Sequence, residues 1–156
     1  MMNYRCLSAY LLILSAALTI ASCASQGVRG QSPFVQINGL KIQDQSLSLD
    51  LGVRNVNSEA INIEHIEFSI SLDETSLAIY KAASQANIIA NGTENLRFEL
   101  VPSIEGLELL NKLQDGEYPN LEYSLEGMFL VNENKKMKVR STGHIYPVPG
   151  RPGHFR

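Results

Sequence analysis

From Phe34 onward apolar residues recur mainly at every second position, the spacing that gathers side chains on one face of a β-strand. Val35 and Ile37, then Leu40 and Ile42, predict a first strand whose phase changes at Asn38-Gly39, either at a turn or at a bulge. Leu47, Leu49, Leu51 and Val53 alternate with Ser48, Asp50, Gly52 and Arg54, the cleanest half-buried strand in the chain, and Asn55-Val56-Asn57-Ser58 ends it. The next strand carries Ile61 and Ile63 and then Ile66, Phe68, Ile70 and Leu72, so its inward set moves from odd to even numbers across Glu64-His65. One extra residue restores the register, and a bulge is expected there. Asp73-Glu74-Thr75 closes this strand, Leu77 and Ile79 begin a short one, and residues 82–90 show little periodicity. Asn91-Gly92 is a turn signal ahead of a strand with Leu96, Phe98 and Leu100.

The period changes once. Ile104, Leu107, Leu110 and Leu113 form one stripe at helical spacing with Leu109 beside it, Ser103 is placed to cap the N-terminus, Glu105 favours the positive end of the helix dipole, and Gln114-Asp115-Gly116 supplies the stop. A short helix with such a stripe is expected to dock on the core. Alternation resumes with Leu121, Tyr123, Leu125 and Phe129 and, after Asn132-Glu133-Asn134, with Met137, Val139 and Ile145, two runs expected to pair as a hairpin. Residues 147–153 hold three prolines, which lack the ladder donor, and read as an extended tail. About seven short strands and one short helix predict a mostly β, two-layer sandwich around one core.

Ahead of this domain lies a different kind of sequence. Arg5 and the mostly apolar stretch 7–21 read as the charged and hydrophobic regions of a secretory signal. The apolar stretch is shorter than the roughly 20 residues a spanning helix needs. Ile20-Ala21-Ser22-Cys23 resembles the bacterial lipobox, in which peptidase recognition through residues such as Ile20, Ala21 and Ser22 leads to cleavage before the cysteine, and that thiol, here Cys23, carries a diacylglyceryl group. An uncleaved membrane helix and an ordinary secretory signal are the rival readings, and the position of Cys23 favours lipidation. The expected organisation is a signal peptide over 1–22, a lipidated polar tether over 23–32, a β-sandwich over 33–146 and a Pro/Gly-rich tail over 147–156. By the same resemblance, Ala24 rather than aspartate after the cysteine points to the outer membrane, facing the periplasm, with the bilayer itself as the first partner.

Cleavage would remove residues 1–22 of 156, leave 134 and discard Cys6, so the mature chain would hold a single cysteine and no internal disulfide. Its stability would rest on packing, which a domain near this size can supply. With Arg5 gone, 12 basic residues face 16 acidic ones, a formal charge of −4. That balance disfavours nucleic acid, whose phosphates demand clustered cations. The one basic cluster, Lys135-Lys136 with Lys138 and Arg140, reads as a hairpin tip with a solvated strand face more readily than as a phosphate or anionic-lipid site.

The run from Val35 to Ile42 with Asn38-Gly39-Leu40, the alternating Leu47 to Val53 run, Asn55-Val56-Asn57, the Ile61 to Leu72 pattern and Leu77-Ala78 together resemble the water-stress and hypersensitive-response (WHy) domain of the type 2 late-embryogenesis-abundant proteins, over about 34–145. The family usually has Asn-Pro-Asn at 55–57 and an Ala-x-Gly stretch where this chain has Ala78-Ile79-Tyr80. The resemblance implies an immunoglobulin/fibronectin III-like antiparallel β-sandwich with a helix at one end, an association with desiccation stress, and no catalytic residues to carry over.

Searched directly, the chain offers no catalytic constellation. His65, His144 and His154 lack metal-ligand spacing, Asp44 and Asp50 sit beside a half-buried strand with Asp50 outward, Glu122 and Glu126 are outward by parity, and neither a phosphate-binding glycine loop nor a serine elbow is present. Asn91-Gly92-Thr93 matches a glycosylation sequon but reads as turn chemistry. A monomeric domain with no metal, no cofactor and no enzyme activity is expected. Two readings follow: a tethered sandwich that protects envelope components during water loss, or an adaptor that holds one envelope protein by an edge strand or by the tail.

Overall fold

A computed structural model describes residues 30–132 and 134–156, and in these every strand joins one of two antiparallel sheets. The elements run β1 (Phe34–Gln43), β2 (Ser46–Arg54), β3 (Ile61–Leu72), β4 (Thr75–Ile88), β5 (Thr93–Leu100), α1 (Ile104–Gln114), β6 (Leu121–Val131), β7 (Lys135–Ile145) and β8 (His154–Phe155). The first sheet has the order β5-β2-β1-β8 and the second β4-β3-β6-β7. The predicted mostly β sandwich with one helix is therefore the observed architecture of the described residues. Alternation explains the core. Leu47, Leu49, Leu51 and Val53 of β2 face Ile66, Phe68, Ile70 and Leu72 of β3 and Leu125 and Phe129 of β6, all essentially fully buried. Burying a side chain of this size stabilises by about 1.5–3 kcal/mol, so the alternating strands supply most of the driving force. An aromatic trio joins the sheets where β4 lies against β5: the Phe68 ring centroid is 5.3 Å from those of Tyr80 and Phe98, and Tyr80 and Phe98 are 4.9 Å apart.

Both expected phase changes are bulges. The β1–β2 register skips Asn38 between Ile37 and Gly39, and β3 carries Glu64 as an extra residue against β6, between the pairs Ile63–Val131 and His65–Leu130; against β4 the register also shifts there, with Ser84 and Gln85 opposite Glu64. Each extra residue lets two apolar sets of opposite parity point into one core. The Asp73-Glu74 turn links Leu72 to Thr75 with φ of 42° and 69°, the left-handed pair that a two-residue hairpin requires.

The segment after this turn differs from expectation. In place of a short strand at Leu77 and Ile79 followed by an irregular stretch, β4 runs unbroken for 14 residues. A third bulge lies within it: Ser71 pairs with Ser76 and Ile70 with Ala78, which leaves Leu77 as the extra residue. Leu77 and Ala78 are both buried, the inward set moves to even numbers, and Ile79 is turned to solvent at 72% exposure. Small and polar side chains at inward positions 82, 84 and 86 hid this strand from a hydrophobic pattern.

Helix α1 has the expected cap, with Ser103 Oγ accepting from Gly106 N at 2.9 Å, but its buried face runs Gly106, Leu110, Leu113, and Ile104 is 75% exposed. The cap explains the shift. Ser103 N donates to Leu77 O at 2.7 Å and its hydroxyl to Ser76 O, which draws the first helical turn onto the β4 bulge. A Cβ at position 106 would sit 2.8 Å from Leu77 Cα, so only glycine permits the approach. Gly127 is as confined, because a Cβ there would lie 2.4 Å from Glu67 O and 2.7 Å from Phe68 Cβ. Gly127→Ala is expected to cost about 2 kcal/mol in chemical denaturation, since the obstruction is backbone of the central strand and cannot rotate away.

The C-terminal segment is the largest correction. Residues 147–153 are not an extended tail but a tight loop that returns β8 to the sheet, where Leu40 pairs with Phe155 and Lys41 with His154. Tyr146 and Arg156 exchange two backbone bonds of 2.8 and 3.0 Å, Val148 N donates to His154 O, and Ile42 N donates to Gly153 O. Pro147 lies opposite Phe155, a ladder position that needs no donor, and Gly150 and Gly153 turn the chain with φ of 73° and 74°. Gln114 at the end of α1 accepts from Gly153 N at 2.9 Å, so helix and C-terminus brace each other.

Candidate functional site

Ile20, Ala21, Ser22 and Cys23, the expected processing and lipidation residues, lie outside the described residues. The structure shows where the polar segment behind them meets the domain. Gln31 N donates to Asn57 Oδ1 at 2.8 Å and Asn57 Nδ2 donates back to Gln31 O at 2.9 Å. Asn57 in turn is held by Asn55, whose Oδ1 accepts from both the backbone N and the side-chain Nδ2 of Asn57 at 2.9 Å. Asn55 Nδ2 donates to Glu59 O, Ile89 O and Ile88 O at 2.8, 3.0 and 3.2 Å, three carbonyls sharing two hydrogens. Both asparagines are buried, 0% and 2% exposed.

The cause is topological. Chain 55–60 leaves the first sheet and enters the second, and chain 89–92 makes the reverse crossing, so neither has a ladder for its backbone groups. Buried backbone groups must still be paired. The two asparagine side chains do this, helped by Asn55 N to Gly92 O at 2.9 Å and Asn91 N to Asn57 O at 3.1 Å. Val56 between them is half-buried and takes no part in these bonds, so valine in place of proline leaves the network whole.

The titratable residues singled out in the sequence do not converge. His65 lies at the β3 bulge, His144 on the outer side of β7 and His154 on β8, and among the described residues no group of three or more His, Cys, Asp or Glu could hold a metal. Asp44 occupies the β1–β2 turn. Asp50 is on the outer face, as expected, and meets Arg97 at 3.2 Å; Glu126 meets Arg140 and Glu67 meets Lys81, each at 3.0 Å. Glu122 is exposed beside the Asp73 turn and donates its backbone N–H to Asp73 Oδ1. These are solvent-exposed pairs, each worth about 0–1 kcal/mol.

Two of the surface grooves combine cations with carboxylates. One, of about 780 Å³, runs over the second sheet between Glu67, Ile79, Glu126, Met128, Lys138 and Arg140. The other, of about 460 Å³, lies on the first sheet under the C-terminal loop and is bordered by Lys41, Asp50, Arg97, Glu99, Arg151 and His154. Both alternate cations, carboxylates and apolar surface. The second groove was invisible in the sequence, because Lys41, Arg97 and Arg151 come together only when the C-terminal segment folds back. That folding also removes the tail as a free extended ligand.

No protein-family model and no curated protein matches the chain in sequence. Solved structures do match in shape. The solution structure of AT1g01470 from Arabidopsis thaliana aligns with a TM-score of 0.59 at 16% identity, over 85% of this chain and 93% of that one. A crystal structure of a protein from Archaeoglobus fulgidus aligns at 0.49 and 12% identity, over 73% and 95%. A solution structure described as that of a late embryogenesis abundant (LEA) protein, At2g46140.1, aligns at 0.45 and 14% identity, over 90% and 84%. At these identities the shared property is the fold, and the chain has the β-sandwich fold of the AT1g01470 structure.

Proposed function

We propose that this chain is a non-catalytic lipoprotein of a bacterial envelope, anchored through Cys23 in the outer membrane and facing the periplasm, whose sandwich stabilises envelope components under water stress. The observation that carries the anchoring is Ile20-Ala21-Ser22-Cys23 at the end of an apolar stretch, followed by a polar segment that reaches the domain at Gln31. Several acyl chains, at about 0.8 kcal/mol per buried methylene, would make attachment effectively permanent. The stress role is supported by the resemblance to the WHy domain, and the buried Asn55/Asn57 network gives that part of the resemblance a structural reason. The broad, mixed-charge outer faces favour weak contact with many components over one tight ligand.

Cys23→Ser is expected to move the protein from the membrane to the soluble fraction, and the intact mass of the wild-type protein to equal residues 23–156 plus acyl chains. A bare N-terminus on the wild-type protein would overturn the anchoring. A deletion strain is expected to survive drying less well, and unchanged survival would remove the stress role. A single dominant partner in crosslinked envelope, lost when a proline is placed in β4 or β7, would instead establish the adaptor reading.

A further inference from the structure

We propose that β7 and the tip of its hairpin form a second membrane contact, in which Lys135, Lys136, Lys138 and Arg140 lie against anionic lipid headgroups beside the point where the tether enters the domain. The proposal rests on the lipid-anchor reading to bring the domain to a bilayer; the structure supplies the side that meets it.

Position is the first argument. Gly30 lies against the hairpin tip, where a Cβ on it would be 2.7 Å from Lys135 Nζ. Gly30 is seven residues beyond Cys23, and at no more than about 3.6 Å per residue these reach about 25 Å. Lys135 is thus confined within a short distance of any bilayer that holds the anchor, whatever path the tether takes.

Charge is the second. Lys136, Lys138 and Arg140 are exposed at alternate positions of an edge strand, so they form one row on the outer face. Arg140 pairs with Glu126, and across the sheet Lys81 pairs with Glu67, whereas Lys135, Lys136 and Lys138 have no carboxylate partner among the described residues. Among the described residues Glu59 and Glu64 also stand at this end, and each is already engaged; Glu133 adjoins the lysines in sequence. The opposite end of the sandwich, around α1 and the β3–β4 turn, carries Asp73, Glu74, Glu105, Glu108, Asp115 and Glu117 against Lys41, Lys112 and Arg151. The lysine row is thus a local patch of unpaired cations at the tethered end, while the far end carries a denser group of acids. An anionic surface attracts the first and repels the second.

The third is surface chemistry. Leu130 and Met128 on β6 lie directly beside Lys136 and Lys138 and are only half-buried, so apolar surface alternates with the lysine row. That pattern suits the boundary between headgroups and acyl chains, where a lysine stem lies along apolar material and its ammonium reaches phosphate. Each basic side chain held at an anionic leaflet raises the docked population roughly fivefold.

The test uses the complete processed lipoprotein in vesicles of neutral phosphatidylcholine or of phosphatidylcholine with about one-third phosphatidylglycerol, a composition at which the lysines should respond. With Cys23 capped by lipid, Ala60→Cys gives a single labelling site near the hairpin tip, where Asn132 Nδ2 donates to Ala60 O at 3.5 Å. Glu108→Cys on α1 gives one at the far end, separated by the 12 residues of β3 or about 40 Å. A fluorophore at 60 is expected to be quenched by headgroup spin-labelled lipid about threefold more on the anionic vesicles, and one at 108 equally on both. High salt, or Lys135→Glu with Lys136→Glu and Lys138→Glu, should erase the difference while the protein still floats with the vesicles. Equal quenching at 60 on both compositions, or a difference indifferent to salt and to the three substitutions, would overturn the docking and leave the anchor intact. Failure of the wild-type protein to float with either vesicle would overturn the anchor and the docking together.

Discussion

Asn55→Ala is expected to lower the unfolding free energy by about 3 kcal/mol and the melting temperature by about 10 °C. The substitution removes the donor shared by Glu59 O, Ile88 O and Ile89 O and the acceptor used by Asn57 N and Nδ2. These partners sit at a buried corner where two chain crossings have no ladder of their own, and each group left unpaired costs about 1–3 kcal/mol. Some regain water as the corner loosens, which keeps the total below the sum. Asn55→Asp is expected to be worse, because a carboxylate retains the acceptor but turns its second oxygen on three carbonyls. Val56→Pro is expected to change stability by less than about 1 kcal/mol, since the bonds run through the residues on either side. Urea denaturation of the purified protein checks all three. An Asn55→Ala midpoint equal to wild type would show that the network is decorative.

Phe155→Ala should cost about 3–4 kcal/mol in the same measurement, the range for deleting a buried aromatic side chain from a packed interior. Phe155 is 2% exposed, pairs with Leu40 and lies beneath the Tyr146–Arg156 exchange, so its loss leaves a void and frees the C-terminal loop. His154→Ala, one residue earlier and half-exposed, is expected to change stability by less than about 0.5 kcal/mol. The contrast bears on function. Deleting residues 147–156 would damage the domain itself, so lost partner binding in such a deletion says nothing about the tail as a ligand. Arg151→Glu, which alters the groove on the first sheet without touching the ladder, is the cleaner probe.

The parts of the fold that were legible in the sequence are those where burial and period coincide. The strands built on Leu47 to Val53, Ile61 to Leu72 and Leu121 to Val131 announced themselves, and so did the Glu64 bulge, because a parity change within an apolar run has few other solutions. Most of β4 is hidden from the hydrophobic pattern, since its inward positions 82, 84 and 86 are small or polar and carry little hydrophobic signal. Ile104 falls outside the buried face of α1 because the apolar stripe carries spacing alone, while the docking face is chosen by the lack of a side chain at Gly106. In the sequence the asparagines at 55 and 57 signal only the end of a strand, and nothing local shows that their side chains reach residues 31, 59, 88 and 89.

What the sequence determined by itself is the inward-facing set of β1, β2, β3, β6 and β7 and the helix over 104–114 with its Ser103 cap, for these are written in residues close together along the chain. Tertiary structure alone decided that the proline-rich C-terminus closes a sheet, that cations from three distant segments share one groove, and that the lysine hairpin stands beside Gly30. The physical reason is the same in each case. Hydrophobic periodicity reports which side of a strand is buried, whereas pairing of backbone groups and the meeting of charges depend on which segments lie side by side, and that is settled only when the two sheets close on one another.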